Sequence, residues 1–180
     1  MKINRVWSMP SKWTFEMKPV QQILASYNVG QGWVDPFAGT KSPAEHRNDI
    51  EGRGNPYQMD AYDFLKSLPD NSFEGVLFDP PYSVTQCLRK YTPRHKGTAG
   101  MAEYRTKCKD EISRIVKTGG ICISFCWDST GIGKKRSFRI EEILLVCHGG
   151  CHYDTIITID RKVFNNYAIQ HLRNPTYTRS

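Results

Sequence analysis

The tetrapeptide Asp79-Pro80-Pro81-Tyr82 has the residue types and order best suited to chemistry in this sequence. A residue that precedes proline is pushed towards extended backbone, so the two prolines hold Asp79 and Pro80 open. The Asp79 carboxylate and the Pro80 carbonyl can then point the same way and accept both hydrogens of one amino group. An amino group on an aromatic ring is a poor nucleophile because its lone pair is delocalised, and these two hydrogen bonds favour its reactive pyramidal form. Tyr82 adds an aromatic face on which a base can stack.

A second loop, Asp35-Pro36-Phe37-Ala38-Gly39-Thr40, lies about 40 residues upstream and also follows a short apolar segment. Gly39 lets the backbone approach a ligand closely, and the loop can cradle the amino-acid end of a cofactor. Glycine-containing loops after strands are common, so this loop alone is a weak signal. Both motifs in this order are a much stronger signal than either one. The simpler interpretation of the downstream tetrapeptide is a turn with an ordinary surface aspartate.

With both motifs present, the sequence resembles the S-adenosylmethionine-dependent amino-methyltransferases of DNA, whose signature is an Asp-Pro-Pro-Tyr tetrapeptide preceded by a Phe-x-Gly cofactor loop. The resemblance covers residues 12 to 162, nearly the whole chain. It implies S-adenosylmethionine as the cofactor and a catalytic set of Asp79, Pro80, Pro81 and Tyr82. It also implies a cofactor site made of Lys12, Trp13, Thr14, Phe15, Asp35, Pro36, Phe37, Gly39, Thr40, Asp49, Asp60 and Ala61.

The resemblance also gives individual roles within that set. Asp49 resembles the acid that binds the cofactor ribose, and the pair Asp60-Ala61 resembles the contact to its adenine ring. Residues 12–15 look like the N-terminal element that closes over the methionine moiety. An Asp at the first catalytic position is associated more with adenine N6 than with cytosine N4. Lys41 departs from the pattern, since the family often has a further glycine there.

We therefore expect transfer of a methyl group to the N6 amino group of adenine in DNA, with the target base flipped out of the stack. Two alternatives stay open. One is methylation of adenine in RNA, because the tetrapeptide does not distinguish the two sugars. The other is a non-catalytic nucleic-acid-binding protein that keeps the fold. The absence of a glycine at Lys41 favours this alternative, and the intact tetrapeptide speaks against it.

The charge distribution favours a polyanionic partner. The chain has 180 residues and a net charge of +7, and seven basic residues against one acid lie within residues 83–109. We expect residues 83–104 to form a mobile basic loop that contacts the phosphates of double- or single-stranded DNA. Phosphate contacts carry no base information, so the target sequence should be short or relaxed. The contacts are assigned to Arg89, Lys90, Arg94 and Lys96, and a solvated surface loop is the alternative.

The elements that must position these residues alternate between helices and strands. Helices are predicted over residues 17–28, 61–68 and 103–118, and strands over residues 33–34, 46–50, 56–59, 73–78, 121–127, 138–146 and 154–163. This alternation predicts an α/β fold, which the resemblance makes a Rossmann-like class I methyltransferase fold. The sheet should be mixed, with an antiparallel hairpin at one edge and reduced helices between the first strands.

Length and composition predict one domain over residues 1–180, with a loose tail over residues 164–180. No apolar run approaches the roughly 20 residues of a bilayer span, and no signal-peptide pattern is present. We therefore expect a cytoplasmic protein with no membrane partner. Little helix is available in residues 41–45 and 50–55 to cover one sheet face, which predicts some tendency to form a homodimer.

The segment Cys147-His148-Gly149-Gly150-Cys151-His152 offers four soft metal ligands within six residues. Zinc sites usually draw their ligand pairs from two separate turns, whereas this segment has the pattern of a tight reversal between two strands. We therefore expect a turn here and no metal.

Overall fold

The computed structural model describes residues 1–81, 102–150 and 152–164. The strands in these residues are β1 (Lys2–Trp7), β2 (Trp33–Asp35), β3 (His46–Arg47), β4 (Phe73–Phe78), β5 (Val116–Cys126), β6 (Phe138–Cys147) and β7 (Thr155–Lys162). The α-helices are α1 (Lys18–Ser26), α2 (Ala61–Ser67) and α3 (Ala102–Ile115), and two short 3₁₀ helices are found at Thr14–Glu16 and Lys134–Arg136.

The strands form a mixed sheet in the order β1-β6-β7-β5-β4-β2-β3. Strand β7 is antiparallel to both of its neighbours, β5 and β6, whereas the other adjacent strands pair in parallel. All strands except β7 therefore end on the same side of the sheet, which we call the carboxyl end. Open α/β sheets bind their ligands at this end.

Side chains alternate between the two faces of the sheet, and an apolar core covers each face. On one face, Val20 and Leu24 of α1 pack with Ile123 of β5. On the other face, α2 and α3 pack on β2, β4 and β5, with Phe64 and Ile112 at the centre of the contact. The helices on the two faces of the sheet thus hold β2 and β4 in position, and these strands lead into the two predicted motifs.

The expected α/β class and mixed sheet are confirmed. Within the described ranges, residues 36–45 between β2 and β3 contain no helix, as the shortness of this segment predicted. The second predicted strand in this region, 56–59, is reduced to one bridge between Asn48 and Tyr57. The β6–β7 hairpin lies one strand in from the edge, because β1 pairs with β6 outside it. Strand β1 was missed because its side chains are mostly exposed and only half of them are apolar.

Two predicted boundaries need correction. Helix α3 ends at Ile115 and not at residue 118, because Val116 already pairs with Phe73 of β4. The basic loop predicted for residues 83–104 ends earlier, because residues 102–104 form the first turn of α3 and Tyr104 packs against the core. Tyr82, Arg89, Lys90, Arg94 and Lys96 lie outside the described residues, as do residues 165–180 of the predicted tail.

Candidate active site

The two predicted motifs lie side by side at the carboxyl end of the sheet. Residues 35–40 leave β2 and residues 79–81 leave β4, and these strands are parallel neighbours with Val34 opposite Val76. A short apolar strand comes directly before each motif, and the pairing of these strands brings their carboxyl ends to the same level of the sheet. The juxtaposition therefore follows from the strand register.

A pocket of about 460 Å³ opens between these motifs and residues 12–15. Its volume falls within the range of roughly 300–1,000 Å³ that is usual for small-molecule sites. Among the predicted residues, it brings together Lys12, Trp13, Thr14, Phe15, Phe37, Gly39, Asp49, Asp79 and Pro81. Ala38, Lys41 and Arg53 also line it, although no role was predicted for them.

The N-terminal element is tied directly to the predicted catalytic carboxylate. Thr14 Oγ1 donates a hydrogen bond of 2.7 Å to Asp79 Oδ2. The 3₁₀ helix that carries Thr14 is anchored by Phe15, which is buried and packs edge-on against Phe125 at a centroid distance of 5.5 Å. Thr14 therefore orients the Asp79 carboxylate from across the pocket.

Two asparagines that were not predicted hold the loop after β2. Asn48 is fully buried, and its Nδ2 donates to the carbonyl of Pro36 at 3.1 Å and to the carbonyl of Met59 at 3.0 Å. Asn55 Nδ2 donates to the carbonyl of Gly39 at 2.6 Å. Gly39 has a φ of +55°, which favours glycine. The one signal for Asn48 in the sequence was its position as a polar residue directly after a very short strand.

Two buried carboxylates lie beneath the pocket or in its wall. Asp35 is fully buried, its Oδ1 accepts from the Phe37 amide at 2.9 Å, and its Oδ2 has no hydrogen-bond partner among the described residues. The pKa of Asp35 is raised to about 7, chiefly by burial, and the nearby Asp79 and Asp49 act in the same direction. Asp49 lines the pocket, and its Oδ2 lies 3.6 Å from a guanidinium nitrogen of Arg53.

Some predicted cofactor residues do not line this pocket. Asp60 caps α2, and its Oδ1 accepts from the Tyr62 amide at 2.9 Å and from the Tyr104 hydroxyl at 2.7 Å. The residues of the predicted set that lie outside the pocket lining are Asp35, Pro36, Thr40, Asp60 and Ala61.

A second pocket of about 170 Å³ reaches the Pro80 side of the same segment. Residues 79–81 therefore form a wall common to both pockets, with Asp79 and Pro81 in the larger and Pro80 in the smaller. The smaller pocket has apolar walls from Phe78 and Phe125, and it also contains polar groups from β5, the loop after β5, β7 and α3. Those polar residues include Arg105, Thr106, Lys109, Ser124, Asp128, Thr130 and Thr158.

Two buried polar residues of β7 were missed by the sequence analysis: Thr158, which lines the smaller pocket, and Asp160, which does not. Thr158 Oγ1 and Asp160 Oδ1 lack a hydrogen-bond partner of normal geometry among the described residues. Burial raises the pKa of Asp160 to about 6. Thr158 and Asp160 alternate with isoleucines along β7, and this period-two pattern was the available signal for a polar face.

The reversal between β6 and β7 was predicted as a turn, and His148 has a structural contact on each ring nitrogen. Its Nδ1 lies 2.8 Å from the Ser8 carbonyl and its Nε2 lies 2.9 Å from Thr155 Oγ1. In the part of the chain that the structure describes, no group of three or more side chains is arranged to bind a metal ion. Nor does any helix there have the length and apolar character needed to cross a membrane.

Solved methyltransferase structures share this fold. The 1,6-didemethyltoxoflavin-N1-methyltransferase of Burkholderia thailandensis, crystallised with 1,6-didemethyltoxoflavin and S-adenosylhomocysteine, aligns with a TM-score of 0.52 and 13% identity over 82% of this chain and 78% of its own. TrmN from Thermus thermophilus aligns with a TM-score of 0.50 and 14% identity over 82% of this chain. The present chain spans about half (49%) of the length of TrmN.

By sequence, no protein-family model and no curated protein matches the chain. At 13–14% identity, the structural likeness shows the fold alone. The chain has the Rossmann-like fold of the class I methyltransferases.

Proposed function

We propose that this protein transfers a methyl group from S-adenosylmethionine to the N6 amino group of adenine in DNA. The observation that carries the proposal is the wall common to both pockets, which presents Asp79 to the larger and Pro80 to the smaller. Group transfer needs a donor and an acceptor that meet at one catalytic segment. The similar fold crystallised with S-adenosylhomocysteine supports the choice of donor.

The residues of the larger pocket fit this cofactor. Asp49 lies in the wall of this pocket and is only 2% exposed. Its carboxylate can accept hydrogen bonds from the ribose hydroxyls. Asp79 in the same wall can attract a positively charged part of a ligand, and Lys12, Lys41 and Arg53, which also line the pocket, can attract a negatively charged part. When bound, S-adenosylmethionine supplies an electrophilic methyl group on a positively charged sulfur. Trp13, whose ring faces the Gly39 loop, contributes an apolar wall on the side of residues 12–15.

Asp79 holds and activates the acceptor in this proposal. Its carboxylate, oriented by the 2.7 Å bond from Thr14, accepts one hydrogen of the adenine amine, and the Pro80 carbonyl accepts the other. These bonds draw the nitrogen lone pair out of the ring. The nitrogen then forms a bond to the methyl carbon, the electron pair of the carbon–sulfur bond passes to sulfur, and the nitrogen loses one proton to solvent.

The smaller pocket is proposed to receive the ring of the flipped base, with its amino group at the wall formed by residues 79–81, between the Pro80 carbonyl and the Asp79 carboxylate. Its apolar walls suit a planar ring, and the buried Thr158 hydroxyl can satisfy a polar atom on the ring edge. Arg105 and Lys109 of α3 also line it, and they suit the phosphates that accompany the base. The net charge of +7 supports the same class of substrate.

The test is methyl transfer from labelled S-adenosylmethionine to DNA and RNA oligonucleotides of equal sequence, followed by nucleoside analysis. We expect N6-methyladenine in the DNA. Asp79→Ala should abolish the transfer, while the dissociation constant of the cofactor, measured by calorimetry, stays within about tenfold, since Thr14, Asp49 and the Gly39 loop remain. Asp63→Ala, an exposed aspartate on α2, is the matched control and should keep full activity.

Near-full activity of Asp79→Ala would show that the catalytic assignment is wrong. Methylation of RNA but not DNA would contradict the polymer assignment and leave the chemistry in place. Failure of the wild-type protein to bind the cofactor would contradict the enzyme proposal altogether and favour a nucleic-acid-binding protein.

A further inference from the structure

Three aromatic side chains stand exposed along the carboxyl end of the sheet, beyond the two pockets. Trp7 is the last residue of β1, Trp127 directly follows β5, and Tyr153 lies just before β7. Their exposed fractions are 67%, 44% and 79%. We call them the aromatic row. Isolated exposed apolar residues are ordinary, but a row of large aromatic rings beside a ligand site indicates a binding surface.

The inner part of the row is a ring pair next to the proposed catalytic strand. The rings of Trp127 and Tyr153 pack with their centroids 5.0 Å apart and their planes tilted by 38°. They extend from β5 and β7, which are paired neighbours, and β5 is also paired with β4. The ring pair therefore lies one strand spacing, roughly 5 Å, from the strand that delivers residues 79–81.

The outer part of the row carries a positive charge. Arg5 places its guanidinium carbon 5.3 Å from the centroid of the Trp7 ring. Strand β1 is separated from β5 by β6 and β7, so the row spans about 14 Å along the carboxyl end. Such a length suits a few successive nucleotides.

Charges of both signs lie at this end of the sheet. Lys12 lines the larger pocket and Lys109 the smaller, and both can attract an anionic partner. The two carboxylates beside the row hold loop backbone: Asp128 Oδ1 accepts from the Thr130 amide at 2.9 Å, and Asp154 Oδ1 accepts from the His148 amide at 3.0 Å.

We propose that the aromatic row binds the bases of single-stranded DNA that flank the target adenine. This inference rests on the proposed function and extends it, because it names the state of the DNA and the residues that hold it outside the two pockets. Every base has an aromatic face, so stacking on such a row is tolerant of sequence, and only unpaired bases can reach it. The protein should then prefer single-stranded DNA over duplex and read little flanking sequence.

The test is the affinity for a dye-labelled single-stranded DNA, measured by fluorescence anisotropy. The double variant Trp127→Ala/Tyr153→Ala should bind it about tenfold more weakly or worse, the loss expected for one stacking platform. Trp127→Phe/Tyr153→Phe keeps two aromatic faces and should bind within about threefold of the wild type. Phe164→Ala is the matched control: this aromatic residue is 72% exposed and follows β7 at the opposite end of the sheet, so its loss should not change the affinity.

Unchanged affinity of the alanine double variant would overturn the inference. So would an aromatic-row effect seen with RNA of the same sequence but absent with DNA. Light scattering gives a third check: a wild-type dimer that the double variant cannot form, with DNA affinity unchanged, would assign the row to a second copy of the chain. Cofactor binding by each variant, measured in parallel, reports whether the fold is intact. If the wild type binds DNA through the row but transfers no methyl group, the proposed function fails and only the binding of single-stranded DNA by the row stands.

Discussion

The buried carboxylate of Asp35 should make the stability of the protein fall as pH rises. Its pKa is raised from the ordinary 3.8 to about 7, chiefly by burial. The folded state therefore keeps a proton that the unfolded chain has already lost between these two values. The contribution is fully present below pH 3.8 and disappears progressively up to about pH 7. At roughly 1.4 kcal/mol per pH unit, a shift of this size corresponds to about 4 kcal/mol over the whole range.

The assay is urea unfolding of the ligand-free protein at half-unit steps between pH 4.5 and pH 8. Asp35→Asn keeps an oxygen for the Phe37 amide but cannot ionise, so the free energy of unfolding should lose most of its decline between pH 6 and pH 7. Asp160→Asn is the matched control. Because the pKa of Asp160 is raised to about 6, that variant should reduce the slope below pH 6, where Asp35 still contributes, and leave most of the decline above pH 6. Equal slopes for wild type and Asp35→Asn between pH 6 and pH 7 would refute the reasoning.

Two further substitutions test the packing that supports the site. Asn48→Ala removes three hydrogen bonds, one to Pro36 and two to Met59, and should lower the free energy of unfolding by about 3 kcal/mol, measured with urea. It should also weaken cofactor binding more than Asn55→Ala, and an unchanged unfolding midpoint would contradict the structural role of Asn48. Gly75→Ala would place a Cβ 2.7 Å from the Trp33 ring and should cost about 2 kcal/mol, seen as a lower melting temperature by circular dichroism; an unshifted melting curve would show that Trp33 can move aside.

Elements with a strong local signal could be predicted from the sequence. The apolar run of β4 followed by two prolines predicted a strand that stops at residue 78, and the structure has it at Phe73–Phe78. The Asp60 cap predicted the start of α2, and its carboxylate does accept from the Tyr62 amide. In both cases one short segment contains the physical cause of the structure.

Features that depend on distant partners could not be predicted. Strand β1 is stabilised by its backbone pairing with β6, about 140 residues away, and its own side chains carry little signal. The residues after Ile115 continue the helical pattern, yet pairing with β4 draws Val116 into a strand. The inward position of Thr158 depends on which face of β7 meets the smaller pocket, and β5 and β6 set that register.

The short connection after β2 explains why the candidate cofactor site depends on buried polar groups. A parallel crossover usually needs a dozen or more residues and a helix, whereas residues 36–45 supply neither, so no helix packs there to hold the loop. Asn48 and Asn55 replace that support with side-chain bonds to the loop carbonyls. Such bonds fix the loop only if the polar groups stay buried, and the same enclosure raises the pKa of Asp35. The reduced helix and the perturbed carboxylate therefore have one common cause in the length of this segment.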